Sequence, residues 1–211
     1  TFRSLNAGDN GSKYALSIAG AYNYIAESYR LQGKIEEALK YYDEAIFYNR
    51  RRGYYPGAAV LYTNYGVAAF QLGNEDAAQK MFEYADEIYQ AFDEFSEYPI
   101  ALAYLAYFDA KKQEMSSARQ RIRKALALCD RFLSPWWKGI TIYMMWKIRV
   151  DMGGSLDVKQ LADLWPESEE EHCEWCLSYL HQIEPREETR QMEQALQKWK
   201  GKGEQTGGRT K

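Results

Sequence analysis

The chain has 211 residues, long enough for a sizeable continuous core, and its 46 % hydrophobic and 27 % charged residues are ordinary for a folded soluble protein. A formal net charge of −3 gives no global attraction to nucleic acid or anionic membrane, and no apolar run approaches the ~20 residues that span a bilayer. Cys129, Cys173 and Cys176 are too few and too unevenly spaced for a disulfide framework, so a reducing, cytoplasmic setting is expected.

Residues 1–12 are polar, with Gly8, Asp9, Asn10 and Gly11 together, and read as a flexible lead-in without the basic-then-apolar order of a signal peptide. The first residue is Thr1 rather than Met, which fits a domain excised from a longer protein. From Lys13 the pattern is helical: Tyr22, Ile25, Ala26 and Tyr29 share a face, and Gly33 ends the helix. A second helix over 34–51 carries Ile35, Ala38, Leu39, Tyr42, Ala45 and Ile46, and closes on Arg50, Arg51 and Arg52, where cations suit the helix dipole. Gly53 and Tyr55-Pro56-Gly57 interrupt the chain before helices expected over 58–72 and 74–92. Tyr98-Pro99 opens a third pair and Ser134-Pro135 a fourth. The fourth pair is degenerate: Gly153 keeps the turn position, but Pro166 cuts its second helix short. Residues 167–200 read as two capping helices over the last apolar face, and 201–211 as a disordered, Gly-rich tail.

One stretch, LQGKIEEALKYYDEAI at 31–46, returns downstream. Gly33, Ala38, Tyr42 and Ala45 have counterparts 40 residues on at Gly73, Ala78, Phe82 and Ala85, and again at Gln113, Ala118, Ile122 and Ala125. Self-similarity at a fixed period of this length is the sign of a helical solenoid, because one hairpin cannot bury its own apolar side. Small residues at Ala26, Gly66 and Ala106, and at Ala38, Ala78 and Ala118, are expected where helices cross. Tyr22, Tyr62 and Leu102, with Tyr42, Phe82 and Ile122, are expected to fill the neighbouring holes.

This pattern resembles the tetratricopeptide repeat family over about 19–132 and more weakly to 165. The period of 40 exceeds the ~34 usual in that family, which implies longer helices. The resemblance implies an all-α fold: a right-handed superhelical solenoid of antiparallel helix pairs over 13–166, followed by the capping helices. It also implies a concave groove lined by the first helices, which holds a peptide or a partner helix. The groove spacing projects onto Asn23, Glu27 and Arg30; Thr63, Asn64, Val67 and Phe70; Ala103, Tyr104 and Tyr107; and Tyr143, Met144 and Lys147. Asn side chains pair with an extended backbone, and Tyr rings offer contact area at low entropic cost; the alternative is that several of these Tyr pack against neighbouring helices. The carboxylate clamp of one branch of the family is absent: Asn64 fits one position, but Glu27, Ile100 and Tyr104 replace the expected Asn and basic residues.

Signals for chemistry are sparse. His172, Cys173, Cys176 and His181 contain a Cys-x-x-Cys, but no second ligand pair stands at a usual spacing, and on a helix Cys173, Cys176, Leu177 and Leu180 form one apolar stripe. No metal or other cofactor is expected. Glu167, Glu169, Glu170 and Glu171 suit a helix start, Arg119, Arg121, Arg123 and Lys124 read as a solvated face, and Trp136, Trp137 and Trp146 read as core or a partner contact. No phosphate loop, nucleophile elbow or His–carboxylate signature occurs. The composite reading is a non-catalytic scaffold for a protein or peptide segment, with neither membrane nor nucleic acid as partner. The alternative is the C-terminal sensor or regulatory part of a larger protein, such as a bacterial transcription regulator.

Overall fold

The computed structural model describes residues 14–52, 55–92, 97–132 and 135–152. The expected lead-in, the second half of the fourth pair, the Cys-x-x-Cys segment, the capping helices and the tail lie outside the described residues, as do the side chains of Trp136 and Trp146. The described residues form α-helices joined by short turns, with no strand among them: α1 Ala15–Leu31, α2 Ile35–Arg52, α3 Tyr55–Gln71, α4 Glu75–Ala91, α5 Tyr98–Lys111, α6 Met115–Arg131 and α7 Pro135–Met152. The chain divides into two compact units, Thr1–Ala101 and Leu102–Lys211, at a boundary within the α5 sequence.

In the first unit α1 packs on α2, α3 on α4, and α3 also against α2. The reason is visible in the buried residues. Ala26, Ile35, Ala38, Tyr42 and Ala68 make one core cluster flanked by Tyr29, Leu39, Tyr41 and Tyr65. Small side chains let the backbones approach, and the large ones fill the gaps between them. At Gly66 the approach tolerates no side chain: a Cβ there would lie 2.8 Å from Cε1 and Cζ of Phe82. Much of the tyrosine excess is spent between helices. Tyr22 stacks on Tyr41 and Tyr48 at 6.1 and 5.7 Å, and Tyr29 on Tyr41 at 5.2 Å.

The 40-residue period is written in the backbone of the turns. Gly33, Gly73 and Gln113 adopt left-handed φ values of 76°, 83° and 66°. Each donates its N–H three residues back, to Arg30, Phe70 and Ala110, while the next residue donates five back, to Tyr29, Ala69 and Asp109. This is the Schellman arrangement, in which the left-handed residue satisfies the orphan carbonyls of a helix end. The third turn therefore keeps the geometry without the glycine. In the second unit the Asp109 carboxylate braces that turn, accepting from Ser117 Oγ at 2.6 Å and from Arg121 Nε at 2.8 Å. Arg121, one of the cations read as a solvated face, is thus committed to an intramolecular ion pair.

Helix boundaries follow the expected ones, with one shift. α3 begins at Tyr55 rather than Ala58, so Pro56 lies inside its first turn. A missing N–H costs nothing there, and the fixed φ of proline suits a helix start. Asn74 caps α4 with its side chain, accepting from the Ala77 N–H at 3.2 Å.

Candidate first-helix interaction face

On α1, Asn23, Glu27 and Arg30 follow the i, i+4, i+7 spacing and are all half-buried on one side of the helix. The same side of the hairpin meets α3 at Asn64, whose Nδ2 donates to Asn23 Oδ1 at 3.1 Å. That bond leaves the Asn23 amide N–H groups and the Asn64 carbonyl oxygen without a hydrogen bond among the described residues. Val67, one turn along α3, and Phe70 are half-buried as well. Gln71, not anticipated from the sequence, adds a carbonyl oxygen buried without a partner among the described residues. It continues the Asn64–Val67 row by the i+4 step that the projected groove stopped short of.

Glu27 is the electrostatic centre of this face. It accepts from Arg30 through both carboxylate oxygens, from Nε at 3.0 Å and from Nη2 at 2.7 Å. It also accepts from the Tyr42 hydroxyl across the hairpin. Burial, and then the adjacent Glu27 carboxylate, push the Tyr42 phenol well above its ordinary range. Tyr42 therefore stays protonated and acts as a fixed donor that orients Glu27, which in turn orients Arg30. Repeat comparison contains the missed signal: 40 residues on, Glu27 and Tyr42 become Val67 and Phe82, so carboxylate and hydroxyl disappear together.

Several residues projected onto an open groove are packing residues instead. Thr63 is fully buried, with its Oγ1 donating to the Ala59 carbonyl at 2.9 Å and lying 3.3 Å from the Tyr89 hydroxyl. Tyr104 and Tyr107 are buried, as are Ala103, Tyr143 and Met144. The physical reason is the sequence of α5, YPIALAYLAYFDAK, which is apolar around its whole circumference up to Asp109. A helix of that kind is buried on every side. Within the second unit Tyr107 and Lys147 do come together, but on each other: Asp151 Oδ2 accepts from the Tyr107 hydroxyl at 3.0 Å and pairs with Lys147 Nζ at 3.1 Å. Lys147 Nζ also lies 5.7 Å from the Tyr107 ring centre.

A surface hollow of about 480 Å³ runs along α2 beside Asp43, Ile46, Phe47, Arg50 and Arg51, all from one helix, so nothing closes it around a ligand. Cys129 is a free, buried thiol, pushed up to about 11 by burial and in contact with Thr141 Oγ1 at 3.9 Å; it is a small core residue rather than a nucleophile. Among the described residues no group of three or more His, Cys, Asp or Glu is placed to hold a metal, and no helix is long and apolar enough to cross a membrane.

Residues 17–91 match the family model of the tetratricopeptide repeat. Among solved structures the chain is similar to a Podosopora anserina protein of kinesin light chain type with nearly identical TPR-like repeats. The identity is 12 % and the TM-score 0.45, over 96 % of this chain and 100 % of that one. A single-substitution variant of the same protein gives 12 % identity and a TM-score of 0.45 over 94 % and 99 %. The comparison with curated proteins finds no match. By its repeat spacing, its turn geometry and the family match together, the segment from residue 17 to residue 91 consists of tetratricopeptide repeats.

Proposed function

We propose that this protein is a binding module that holds a peptide or protein segment on the face formed by Asn23, Glu27 and Arg30 of α1 with Asn64, Val67 and Gln71 of α3. The observation that carries the reading is the Asn23–Asn64 bond. It fixes two amides from consecutive first helices and leaves N–H donors and a carbonyl acceptor for a ligand, the complement of an extended peptide backbone. Val67 and Phe70 add apolar contact, and the Glu27-bound Arg30 adds a preorganised cation at one end. The free buried thiol of Cys129 suits work in a reducing compartment such as the cytoplasm.

Selection of binders from a displayed random-peptide library tests this. Asn64→Leu and Arg30→Gln should each weaken the selected peptides about tenfold or more, roughly 1.4 kcal/mol, with helicity unchanged at the assay temperature. Equal affinity of both variants and the parent chain overturns the assignment.

A further inference from the structure

When hairpins stack, each first helix has two neighbours to face, its own second helix and the hairpin before it, and α3 meets both. Toward α4 it turns Tyr62, Thr63 and Gly66, which lie against Tyr84, Tyr89 and Phe82. Toward the α1–α2 hairpin it turns Asn64, Tyr65 and Ala68. Asn64 bonds Asn23, the Tyr65 ring lies 6.3 Å from that of Tyr42, and Ala68 enters the core cluster with Ala38. With the buried Leu61 these residues make a row at i, i+3, i+4 and i+7, one side of a helix.

Among the described residues α1 covers only the first of these faces. Tyr22, Ala26 and Tyr29 pack toward α2, against the Tyr41 and Tyr48 rings and the cluster around Ala38. Forty residues before Leu61, Asn64, Tyr65 and Ala68 stand Ala21, Tyr24, Ile25 and Ser28, at the same spacing and without a charge. Ala68 is fully buried and Asn64 and Tyr65 are half-buried, whereas Tyr24 is 78 % exposed, Ile25 37 %, and Ser28 is exposed as well. Glu27 and Arg30, the charged residues of α1, are turned about 100° or more round the helix from Ser28. The side of a helix that faces water ordinarily collects the charges. On α1 that side holds the counterpart of the row by which α3 docks.

We propose that Ala21, Tyr24, Ile25 and Ser28 dock a further hairpin of the same repeat, stacked ahead of α1 as the α1–α2 hairpin is stacked ahead of α3. The α3 interface defines the chemistry of that occupant. Its second helix brings a small residue and a ring to Ser28 and Ile25, as Ala38 and Tyr42 serve Ala68 and Tyr65. Its first helix brings a polar side chain to the Tyr24 hydroxyl, as Asn23 serves Asn64. Small residues at Ala21 and Ser28 permit the close approach that such a contact needs.

A chain in which residues 15–54 occur twice in tandem tests this, since it keeps the 40-residue spacing and sets a hairpin ahead of the original α1. Followed by circular dichroism, it should unfold in one transition with a midpoint above that of the parent chain, because a stacked repeat gains an interface with its neighbour. Ser28→Arg in the downstream copy should bring the midpoint back to the parent value. The same substitution in the upstream copy, or in the parent chain, where Ser28 is exposed, should leave the midpoint unchanged. An added hairpin that unfolds apart from the rest overturns the proposal, and so does a midpoint indifferent to which copy is substituted. Sedimentation velocity of the parent chain completes the test: concentration-dependent dimers that Ser28→Arg abolishes would give the face to a second copy and overturn it as well.

Discussion

The Tyr42 hydroxyl donates to the Glu27 carboxylate across the α1–α2 hairpin, and the next repeat replaces both partners at once with Phe82 and Val67. A hydrogen bond to a charged group that is half out of water contributes little when present, but its loss strands the surviving partner. Tyr42→Phe should cost about 1–2 kcal/mol. Glu27→Val should cost about 1–3 kcal/mol, because it takes away the acceptor of the buried Tyr42 hydroxyl. The double variant restores the second repeat's own solution, so it should be more stable than the sum of the two losses allows. Denaturant titration of the three variants checks this, and strict additivity would mean that the pair is not coupled.

Gln113 holds a left-handed backbone that the first two turns assign to glycine. The conformation costs an L-residue about 1–2 kcal/mol, offset in part because glycine has more freedom to lose on folding. Gln113→Gly should therefore stabilise by about 0.5–1 kcal/mol. Gly73→Ala meets no steric contact, so its loss of about 1 kcal/mol should be purely conformational. Thermal melts of both variants would expose a wrong turn assignment by reversing these signs.

Gly66 faces the ring of Phe82, which is fully buried. Gly66→Ala should cost about 1–3 kcal/mol despite the better helix propensity of alanine. Adding Phe82→Leu should recover part of that loss by taking away the ring carbons that collide. If the single variant melts like the parent, the α3–α4 approach is looser than described.

The fold should weaken in alkali. Burial raises Cys129 from 9.0 to about 11, so between those values the unfolded chain gives up a proton that the folded chain keeps. The stabilising contribution is fully present below pH 9 and is lost progressively up to about 11, a total of roughly 2–3 kcal/mol. Tyr42 and Tyr89, both shifted upward by burial, extend the decline from about pH 10. Cys129→Ala should flatten the first part of the profile. An unchanged slope in chemical denaturation between pH 8 and 11 would exclude the thiol as its cause.

The repeat itself was readable because its determinants are local. A left-handed turn and small residues at fixed offsets mark the α1–α2, α3–α4 and α5–α6 hairpins, and even Gln113 fell into register because Ala118, Ile122 and Ala125 kept theirs. The projected groove residues fare unevenly in burial: Asn23, Glu27, Arg30, Asn64 and Val67 are half-buried. Tyr104 and Tyr107 do not line an open surface, because first-helix spacing presumes one polar side and α5 has none. The same spacing projects Thr63 onto the groove, but its hydroxyl is buried and donates to the Ala59 carbonyl. Tyr42 was read as a space-filling ring, and only the structure shows its hydroxyl holding Glu27.

The shared turn has a kinetic consequence. Each left-handed residue joins two helices through a connection only a few residues long, so the partners of a hairpin meet with little loop-closure entropy to overcome. Contacts such as Glu27 with Tyr42, or Asp109 with Ser117, link residues 15 and 8 positions apart and can form before distant segments find one another. Topologies dominated by such short separations fold fast. The α1–α2 pair, with Tyr22 and Tyr29 stacked on Tyr41 and Tyr48 and its own ion pair, is the place for that process to begin, and α3 then docks onto a surface that already exists.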